Sequence, residues 1–212
     1  WNPPTDLSYH IGRKPASSTS QKVHPVTDQE IIDLIHSLEN DERAKRDIPA
    51  ALNWARAIKL MVTFGLRPEE LKHLEKKIDR KTKEEYLWCS YQKRAGGGMT
   101  EARRLYPLYP VNKKGVKQDW NLVELFDRKD FLLPSLQNKN GVGEACLKYL
   151  KRQQAWKQLI KSVEKRNERA GSYSFRHSYS VRGHLLDIDN GSMSLAMGHS
   201  IETHCREYPW AT

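Results

Sequence analysis

Cysteine is scarce in this chain of 212 residues, and long hydrophobic runs are absent. Cys89, Cys146 and Cys205 are odd in number and widely spaced, and no second Cys or His lies at zinc-ligand spacing. This pattern argues against both a disulfide framework and a zinc site. No apolar run approaches the roughly 20 residues that a membrane-spanning helix needs, and the first residues lack the basic and apolar regions of a signal peptide. We therefore expect a reducing, intracellular setting and no membrane contact.

Two catalytic signatures are missing as well. The glycines at 96–98 do not belong to a GxxxxGK[ST] motif, and no helix is predicted directly after them, so a phosphate-cradling nucleotide site is rejected. The acidic residues form no tight cluster of the kind that holds two metal ions, which makes metal-dependent cleavage the weaker hypothesis. The sequence therefore predicts neither a bound metal nor a cofactor.

Basic residues, in contrast, are abundant. The chain has 36 Lys and Arg against 26 Asp and Glu, a formal net charge of +10. Such an excess favours a polyanionic partner such as nucleic acid, but it says nothing about specificity. The segment 147–169 carries basic residues on nearly every turn beside apolar ones, which fits an amphipathic core helix with a solvated face and also fits a phosphate-binding surface.

The N-terminal residues differ in composition from the rest. Residues 1–24 are rich in Pro, Ser and Thr without a hydrophobic period, which predicts a linker or arm, and residues 25–212 form the predicted folded domain. In VTDQEIIDLIHSL, Thr27 and Glu30 have the spacing of a helix capping box. A second, largely apolar helix is predicted from about Ile48, and it is too apolar throughout for a surface position.

The stretch FGLRPEELKHLEKKID is the first chemically suggestive one. Gly65 suits the left-handed residue that closes a helix, and Pro68 suits the first turn of another helix, so Arg67 is held on a short bridge between the two. A surface arginine paired with Glu70 is the plain interpretation. A cation at a helix N-terminus is slightly unfavourable, however, and a bound anion would remove that objection.

After this stretch the spacing of apolar residues changes from a helical pattern to strict alternation, which predicts a small antiparallel sheet. EYLWCSYQ and RRLYPL alternate apolar and polar residues on either side of RAGGGMTEA, as in a β-hairpin with a glycine-rich tip. Lys93 and Arg94 end its first strand, and Arg103 and Arg104 begin its second. We expect this basic hairpin to contact a nucleic-acid backbone, although a solvated turn fits too. With residues 111–170 mostly helical, the predicted class is mainly α with a small antiparallel β-sheet (α+β).

A second arginine is predicted at a helix start in GSYSFRHSYSVRGHLLDI. Ser174 is a fair N-cap, and Phe175, Tyr179 and Leu186 fall near one helical face. This arrangement leaves Arg176 in the first turn on another face.

The C-terminal stretch DNGSMSLAMGHSIETHCREYPW predicts two short helices. The first ends at Gly198 and Ser200 caps the second, in which Ile201, Cys205 and Tyr208 share one face at i, i+4 and i+7. Tyr208 is thereby expected to point toward the body of the domain. Considered alone, a tyrosine near a terminus is more often a packing residue than a catalytic one.

Four of these motifs, in this order, resemble the catalytic domain of the tyrosine recombinase (phage integrase) family: GLRPEEL, a lysine in a basic β-hairpin, FRHSYS, and AMGHSIETHCREY. The resemblance runs from about residue 26 to residue 210, nearly the whole folded part. It implies that Arg67 and Arg176 hold the scissile phosphate, that Lys93 is the hairpin lysine, that His199 lies beside the nucleophile, and that Tyr208 is the nucleophile.

One position departs from the family pattern. Where His-x-x-Arg is expected the chain has Tyr-Ser-Phe-Arg, so Tyr173 occupies the place of the histidine. A phenol with a reference pKa near 10 is a poor proton acceptor at neutral pH compared with an imidazole near 6.5, although it still donates a hydrogen bond. We therefore expect little general-base help there, and His177, which follows Arg176 directly, is not expected to replace it.

The residue types fit the chemistry that the resemblance implies. Rejoining a cut DNA strand without ATP requires the bond to be stored covalently, and a tyrosine oxygen that attacks phosphorus stores it as an aryl phosphodiester. Two guanidiniums can clamp the non-bridging oxygens in place of metal ions, while a lysine protonates the departing 5′ oxygen. The implied function is a metal-independent site-specific DNA recombinase (integrase) that acts through a 3′-phosphotyrosyl intermediate.

The resemblance also implies partners and a setting. We expect binding to double-stranded DNA, a homo-oligomer (tetramer) on DNA and a monomer as an isolated fragment. The expected setting is the cytoplasm of a prokaryotic or phage-infected cell. Residues 1–24 are expected to lead from an N-terminal DNA-binding domain. Two alternatives stay open: a DNA-binding protein that keeps the fold without catalysis, which Tyr173 suggests, and a type IB-like topoisomerase.

Overall fold

The computed structural model of the chain describes residues 23–92, 94–95 and 98–208. The predicted linker therefore lies outside the described residues except for its last two positions, and so does Lys93. Within the described part, no helix is long and apolar enough to cross a membrane.

Helices make up most of the domain and are supplemented by short strands. The α-helices are α1 (Asp28–Asn40), α2 (Ile48–Phe64), α3 (Leu122–Leu125), α4 (Val142–Leu150), α5 (Gln154–Glu164), α6 (Ser174–Leu185), α7 (Asn190–Met197) and α8 (Ile201–Glu207), and 3-10 helices span Lys45–Asp47 and Pro68–His73. The strands are β1 (Leu74–Ile78), β2 (Glu85–Cys89), β3 (Arg94–Ala95), β4 (Gly98–Met99) and β5 (Arg103–Arg104). This content confirms the predicted α+β class.

Helix α2 lies at the centre of the core. Ten of its side chains are buried, among them Ala51, Trp54, Ile58 and Phe64, and it contacts α1 and α6. The capping box predicted for α1 is present, because the Thr27 side chain accepts from the backbone N–H of Glu30 and the Glu30 carboxylate accepts from that of Thr27. A helix so apolar on all sides must be covered on all sides. It is therefore the natural support for a site at its C-terminal end.

The sheet confirms the hairpin and adds a strand that the sequence analysis missed. Strands β1, β2 and β5 form a three-stranded antiparallel sheet in that order, with Leu74 opposite Cys89 and Cys89 opposite Arg103. A helix was predicted over LKHLEKKID, but after the 3-10 helix the chain extends as β1. All five residues of β1 pair with β2, and these cross-strand contacts outweigh the helical preference of the sequence.

Three other predictions on helices were wrong in detail. Residues 111–170 were expected to be mostly helical, but α3, α4 and α5 cover less than half of them, and loops make up the rest. The basic run 147–169 was treated as one helix, but α4 and α5 are separate and are joined by a short turn at residues 151–153. Its central side chains Leu150 and Trp156 are buried, which supports the core interpretation for that face. At the start of α6 the N-cap is Tyr173, not Ser174, and Leu186 lies mostly exposed beyond the end of the helix.

Helix α6 is tied to the rest of the domain through polar side chains. The buried Arg182 guanidinium donates to Asp28 Oδ1 at 2.5 Å, to the Leu108 carbonyl at 3.2 Å and to the Val62 carbonyl. The Tyr179 hydroxyl donates to the Tyr106 carbonyl at 2.9 Å. These bonds fix α6 against α1 and α2, so that residues in the first turn of α6 have a fixed position relative to the end of α2.

We predict that Gly65→Ala destabilises the domain more than Gly115→Ala. Both glycines have positive φ, +63° and +77°, but a Cβ on Gly65 would lie 2.5 Å from Tyr179 Cδ1, whereas Gly115 has nothing within 4 Å. The left-handed backbone costs about 1 kcal/mol in each variant. Overlap in a packed core adds roughly 1 to 3 kcal/mol for Gly65 alone. Urea unfolding of both variants measures the difference, and equal losses would contradict the close packing at the end of α2.

Candidate active site

A buried carboxylate, Glu70, organises the site. It lies in the 3-10 helix that follows Arg67, its side chain has 0% exposure, and it accepts from Arg67 Nη1 at 2.7 Å. Arg103 binds both of its oxygens, at 3.2 and 2.9 Å, and Arg176 Nη1 lies 3.7 Å from Oε2. Despite the burial, these guanidiniums lower the pKa of Glu70 to about 2. Glu70 is therefore ionised at neutral pH.

Arg176 joins the ends of two helices. It is 2% exposed, and its guanidinium donates to the carbonyl of Gly65, at the end of α2, and to that of Met197, at the end of α7, the latter at 2.5 Å. Helix C-termini carry partial negative charge and unsatisfied carbonyls, so they stabilise a cation in this place. The first turn of α6 thus holds Arg176 where the GLR and AMGH motifs meet.

Arg67 lies beside this arginine and is less buried. Its backbone N–H donates to Glu70 Oε2 at 2.9 Å and its Nη2 to the Gly198 carbonyl at 3.3 Å. Burial, followed by the nearby charge of Arg176, lowers the pKa of Arg67 from its ordinary value. The pairing with Glu70 that the sequence suggested is present, and it orients Arg67 toward the segment that carries His199.

Arg103 faces inward. Its Nε donates to the Ala196 carbonyl at 2.9 Å, and its guanidinium lies so close to Gly198 that a Cβ there would be 2.6 Å from Nη1. Gly198 also has a φ of +65°. This position of the AMGHS motif therefore favours glycine for two reasons, the left-handed backbone and the close approach of Arg103. The predicted DNA contact by Arg103 stays a prediction, and the structure gives the residue a supporting place beneath the site.

Charge is unbalanced in this cluster. Arg67, Arg103 and Arg176 surround one carboxylate, Glu70, so two positive charges are not compensated within the group. Placing like charges together in a partly dry site is costly unless an anion binds there. The arrangement is therefore suited to a phosphate group.

His199 lies directly against the arginines. Its Nδ1 is 3.3 Å from Arg176 Nη2 and its Nε2 is 2.9 Å from Nδ1 of His204. Burial, followed by the charges of Arg176 and Arg67, lowers the pKa of His199 to about 2. The imidazole is thus neutral in the free protein, and because an arginine only donates, its Nδ1 is an acceptor.

Tyr208 ends helix α8 and points into the domain. It is 3% exposed, and its ring lies 5.7 Å from the His199 ring, 4.8 Å from the His204 ring and 5.3 Å from the His177 ring, centroid to centroid. This burial fits a packing tyrosine and also a nucleophile that is sheltered until substrate binds.

The predicted inward face of α8 was only partly right. Ile201 and Cys205 are exposed, whereas His204, with 0% exposure, lies on the inner side together with Tyr208. The actual inward pair is therefore at i and i+4, His204 and Tyr208. The cap predicted at Ser200 is present, since its side chain accepts from the Thr203 N–H.

Tyr173 lies at the edge of the same group and is 44% exposed. Partial burial raises the pKa of Tyr173, although the charges of Arg67 and Arg176 act in the other direction. The phenol therefore keeps its proton at neutral pH. It is available as a hydrogen-bond donor, as the sequence analysis expected.

The hairpin residues are placed only in part. Lys93 lies outside the described residues, and Arg94 is described only as part of β3, which pairs Arg94 with Met99. Arg104 lies on the outer side of β5, with its guanidinium 4.3 Å from the Tyr86 ring centroid and 3.4 Å from Asp79 Oδ2. The proposed contacts of Lys93, Arg94 and Arg104 with DNA stay predictions.

A cleft of about 1180 Å³ leads to the cluster. Arg67, Arg103, Arg104 and His199 line it together with residues of α7 and α8. Across the residues that the structure describes, no group of three or more His, Cys, Asp or Glu side chains could hold a metal ion. Among the lining residues that the structure describes, these arginines and the imidazole are accompanied by hydroxyl donors such as those of Ser192, Ser200 and Thr203.

Sequence reasoning missed three members of the site: Glu70 as the shared carboxylate, Arg103 as an inward arginine, and His204. For Arg103 a signal was available. In RRLYPL, strand alternation puts Arg103 on the same side as the buried Leu105 and puts Arg104 on the other side. For His204 the signal was its i, i+4 spacing from Tyr208.

The chain is similar to solved structures, although its sequence identity with them is low. The XerH site-specific recombinase bound to difH substrate, in a pre-cleavage complex, is 19% identical and has a TM-score of 0.49 over 92% of this chain and 52% of that one. The Tn1549 transposon integrase (aa 82-397), in complex with circular intermediate DNA, is 14% identical and has a TM-score of 0.46 over 87% of this chain and 62% of that one. The chain thus spans between half and two thirds of the length of each. No protein-family model matches the sequence, and no curated protein matches it significantly.

We predict that Glu70→Gln destabilises the domain by about 3 kcal/mol at pH 7, because it leaves buried guanidiniums without their counter-ion. The matched control is Glu75→Gln on β1, whose carboxylate pairs with Lys77 at an exposed position. An exposed pair contributes less than about 1 kcal/mol. Denaturant unfolding measures both variants.

The pH dependence gives a second check on Glu70. The folded pKa of Glu70, about 2, is below the ordinary glutamate value of 4.5. Its contribution to the free energy of unfolding is therefore complete above about pH 4.5 and is lost as the pH falls toward 2. The difference in the free energy of unfolding between wild type and Glu70→Gln should therefore become smaller as the pH falls from 4.5 to 2. A difference that stays constant with pH would contradict an ionised Glu70.

Proposed function

We propose that this chain is the catalytic domain of a tyrosine recombinase, which cleaves double-stranded DNA and rejoins it through a covalent 3′-phosphotyrosyl intermediate. The observation that carries the proposal is the cluster of three guanidiniums around Glu70, with His199 and Tyr208 beside it. Each residue type in that group matches a need of phosphoryl transfer to a phenol.

The clamp on the phosphate comes first. Glu70 and helix-end carbonyls hold Arg67 and Arg176, so both guanidiniums have a fixed position before an anion arrives. Preorganised donors of this kind stabilise the charge that gathers on the non-bridging oxygens in the transition state, and their effect is large in a site that excludes water. The uncompensated positive charge of the cluster supports this role.

The position of Tyr208 beside the cluster supports a covalent step. Its oxygen attacks phosphorus, a bond from Oη to phosphorus forms, and the bond from phosphorus to the 5′ oxygen breaks. We propose Lys93 as the group that protonates the departing oxygen, with the hairpin after β2 carrying it to the DNA. Rejoining is the reverse reaction, in which the 5′ hydroxyl attacks and Tyr208 leaves.

Binding to DNA draws on the charge of the whole chain. A net charge of +10 favours association with a polyanion, and counter-ion release makes such binding weaken as salt rises. We propose assembly as a tetramer on DNA, since recombination joins two duplexes that each present two cleavage sites. Integration, excision and resolution all follow from the same chemistry.

One observation favours a second candidate, a DNA-binding protein without catalysis. Tyr173 stands where the family has a histidine, and it keeps its proton at neutral pH. We nevertheless prefer catalysis, because a protonated phenol beside Arg67 and Arg176 still donates to a phosphate oxygen. General-base help would then have to come from another residue.

We predict that Tyr208→Phe abolishes a covalent protein–DNA adduct and leaves DNA affinity within about 2-fold of wild type, because it removes one oxygen while keeping the buried ring. The probe is a pool of nicked duplexes of randomised sequence that lose a short fragment after cleavage, so that the leaving hydroxyl cannot return. The reaction is run in EDTA, denatured, digested and analysed by mass spectrometry for a nucleotide-bearing peptide.

The outcomes separate the candidates. An adduct on the peptide that holds Tyr208 supports the proposal, and relaxation of a supercoiled plasmid without a partner site would favour the topoisomerase alternative. DNA binding without any adduct would favour the non-catalytic protein. An adduct on Tyr173 or Tyr179 would refute the assignment of the nucleophile, and loss of binding in Tyr208→Phe would make it the packing residue.

A further inference from the structure

Three histidines form a continuous chain of hydrogen bonds behind the proposed nucleophile. His199 Nε2 is 2.9 Å from His204 Nδ1, and His204 Nε2 is 3.0 Å from His184 Nε2. They come from three places in the fold, the turn between α7 and α8, the middle of α8, and the last turn of α6. His204 is completely buried and His184 is half-buried, so the chain leads from the arginine cluster toward the surface.

The hydrogen bonds fix which nitrogen of each ring carries the proton. Arg176 only donates, so His199 Nδ1 accepts and its Nε2 carries the hydrogen. His204 Nδ1 then accepts from His199, and His204 Nε2 donates to His184 Nε2. His184 is left with its hydrogen on Nδ1. One arginine at the inner end thus sets the polarity of all three imidazoles.

Each ring must be neutral for this pattern to hold, and the surroundings favour neutrality. His199 faces Arg67, Arg103, Arg176 and His204, which together with burial keep its pKa near 2. His204 faces His184 and Arg176 and packs on the Tyr208 ring. Burial, helped by those two neighbours, lowers the pKa of His204 to about 4, and burial lowers that of His184. A proton can therefore not stay on His199 beside three guanidiniums.

We propose that His204 and His184 conduct protons between His199 and solvent, and so allow His199 to serve as the base for Tyr208 without becoming a buried cation. The proposal rests on the function proposed above. His199 is the catalytic residue in this scheme, and His204 and His184 are positioning residues that act through it. The histidine place that Tyr173 occupies is then not needed for proton removal.

The proton balance is as follows. During cleavage Arg176 Nη2 turns its hydrogen from His199 Nδ1 to a phosphate oxygen, and the phenol proton of Tyr208 goes to the freed Nδ1. The Nε2 proton of His199 then goes to His204 Nδ1, and the Nε2 proton of His204 goes to His184 Nε2. His184 releases its Nδ1 proton to water. All three rings end neutral in the opposite tautomer. The two bonds between the imidazoles are kept with their directions reversed, and the contact of His199 with Arg176 is given up. His199 Nδ1–H now faces the phosphate as a donor, and rejoining runs the same steps backward.

A first test needs no DNA. In protein labelled with ¹⁵N in its histidine rings, NMR at pH 7 should show the Nε2–H tautomer for His199 and His204 and the Nδ1–H tautomer for His184. Replacement of His184 by Ala should shift the ring signals of His204 and His199 in turn. An imidazolium at any of the three positions, or the opposite tautomers, would overturn the chain as described.

The second test separates conduction from packing. His204→Gln keeps an acceptor and a donor near the ring nitrogens but cannot relay a proton, whereas His204→Phe keeps only the bulk. We expect His204→Gln to slow adduct formation at least about 100-fold, the lower end of what acid–base catalysis contributes. Its melting temperature and DNA affinity should stay near wild type. A wild-type rate in His204→Gln over the whole pH range would refute conduction.

Rescue at the outer end gives the sharpest contrast. His184→Ala opens the surface end of the chain, so free imidazole in solution should restore about 10-fold of lost rate, with a dependence on the imidazole base. The matched control is His36→Ala on the exposed face of α1, which should lose no rate and gain none. Absence of rescue in His184→Ala, with His204→Gln still slow, would make the histidines packing residues. No adduct from wild type would refute the proposed function instead, and the NMR result would show separately whether the chain exists.

Discussion

The site depends on one buried charge, the carboxylate of Glu70. Without it, Arg67, Arg103 and Arg176 would be cations held together in a partly dry environment with no counter-ion, which is among the costliest arrangements in a protein interior. With it, they are fixed but not neutralised, because one negative charge faces three positive ones. The same interaction thus stabilises the fold and leaves a place for an anion.

The excess of positive charge around Glu70 also affects the protonation of His199. Next to guanidiniums an imidazole cannot hold a proton, so His199 is a base only if the proton can leave it. In the proposed scheme the bonded path through His204 to His184 is that exit, and the His204 ring lies 4.8 Å from the Tyr208 ring, centroid to centroid. On this proposal the same positive field has two effects, since it attracts the phosphate and disfavours a proton on His199.

Two parts of the fold that depend only on residues adjacent in sequence were predicted correctly. The left-handed Gly65 after α2 and the cap at Ser200 follow from residues next to one another in sequence, and both are present. The strand β1 could not be predicted in this way, because its apolar residues fit a helix as well as a strand and only pairing with β2 decides between them. In α8, which has just two turns, more than one face has a plausible inward set, so His204 was overlooked.

For the candidate site, the sequence predicted four of the residues but not the contacts between them. Arg67, Arg176, His199 and Tyr208 could be assigned from motif order, and the structure brings all four together. Their burial and bonding could not be predicted, since Glu70 contacts Arg103 and Arg176 across 33 and 106 positions of sequence, which no local pattern encodes.

The most direct measurement is a structure of the chain with orthovanadate and two abutting DNA ends, in which vanadium takes the place of the phosphorus undergoing transfer. The account predicts a bond from vanadium to Tyr208 Oη, with Arg67 and Arg176 donating to its two non-bridging oxygens and His199 beside them. Vanadate bound away from Tyr208, or arginines that keep all their contacts with Glu70 and the carbonyls and touch no vanadate oxygen, would contradict it.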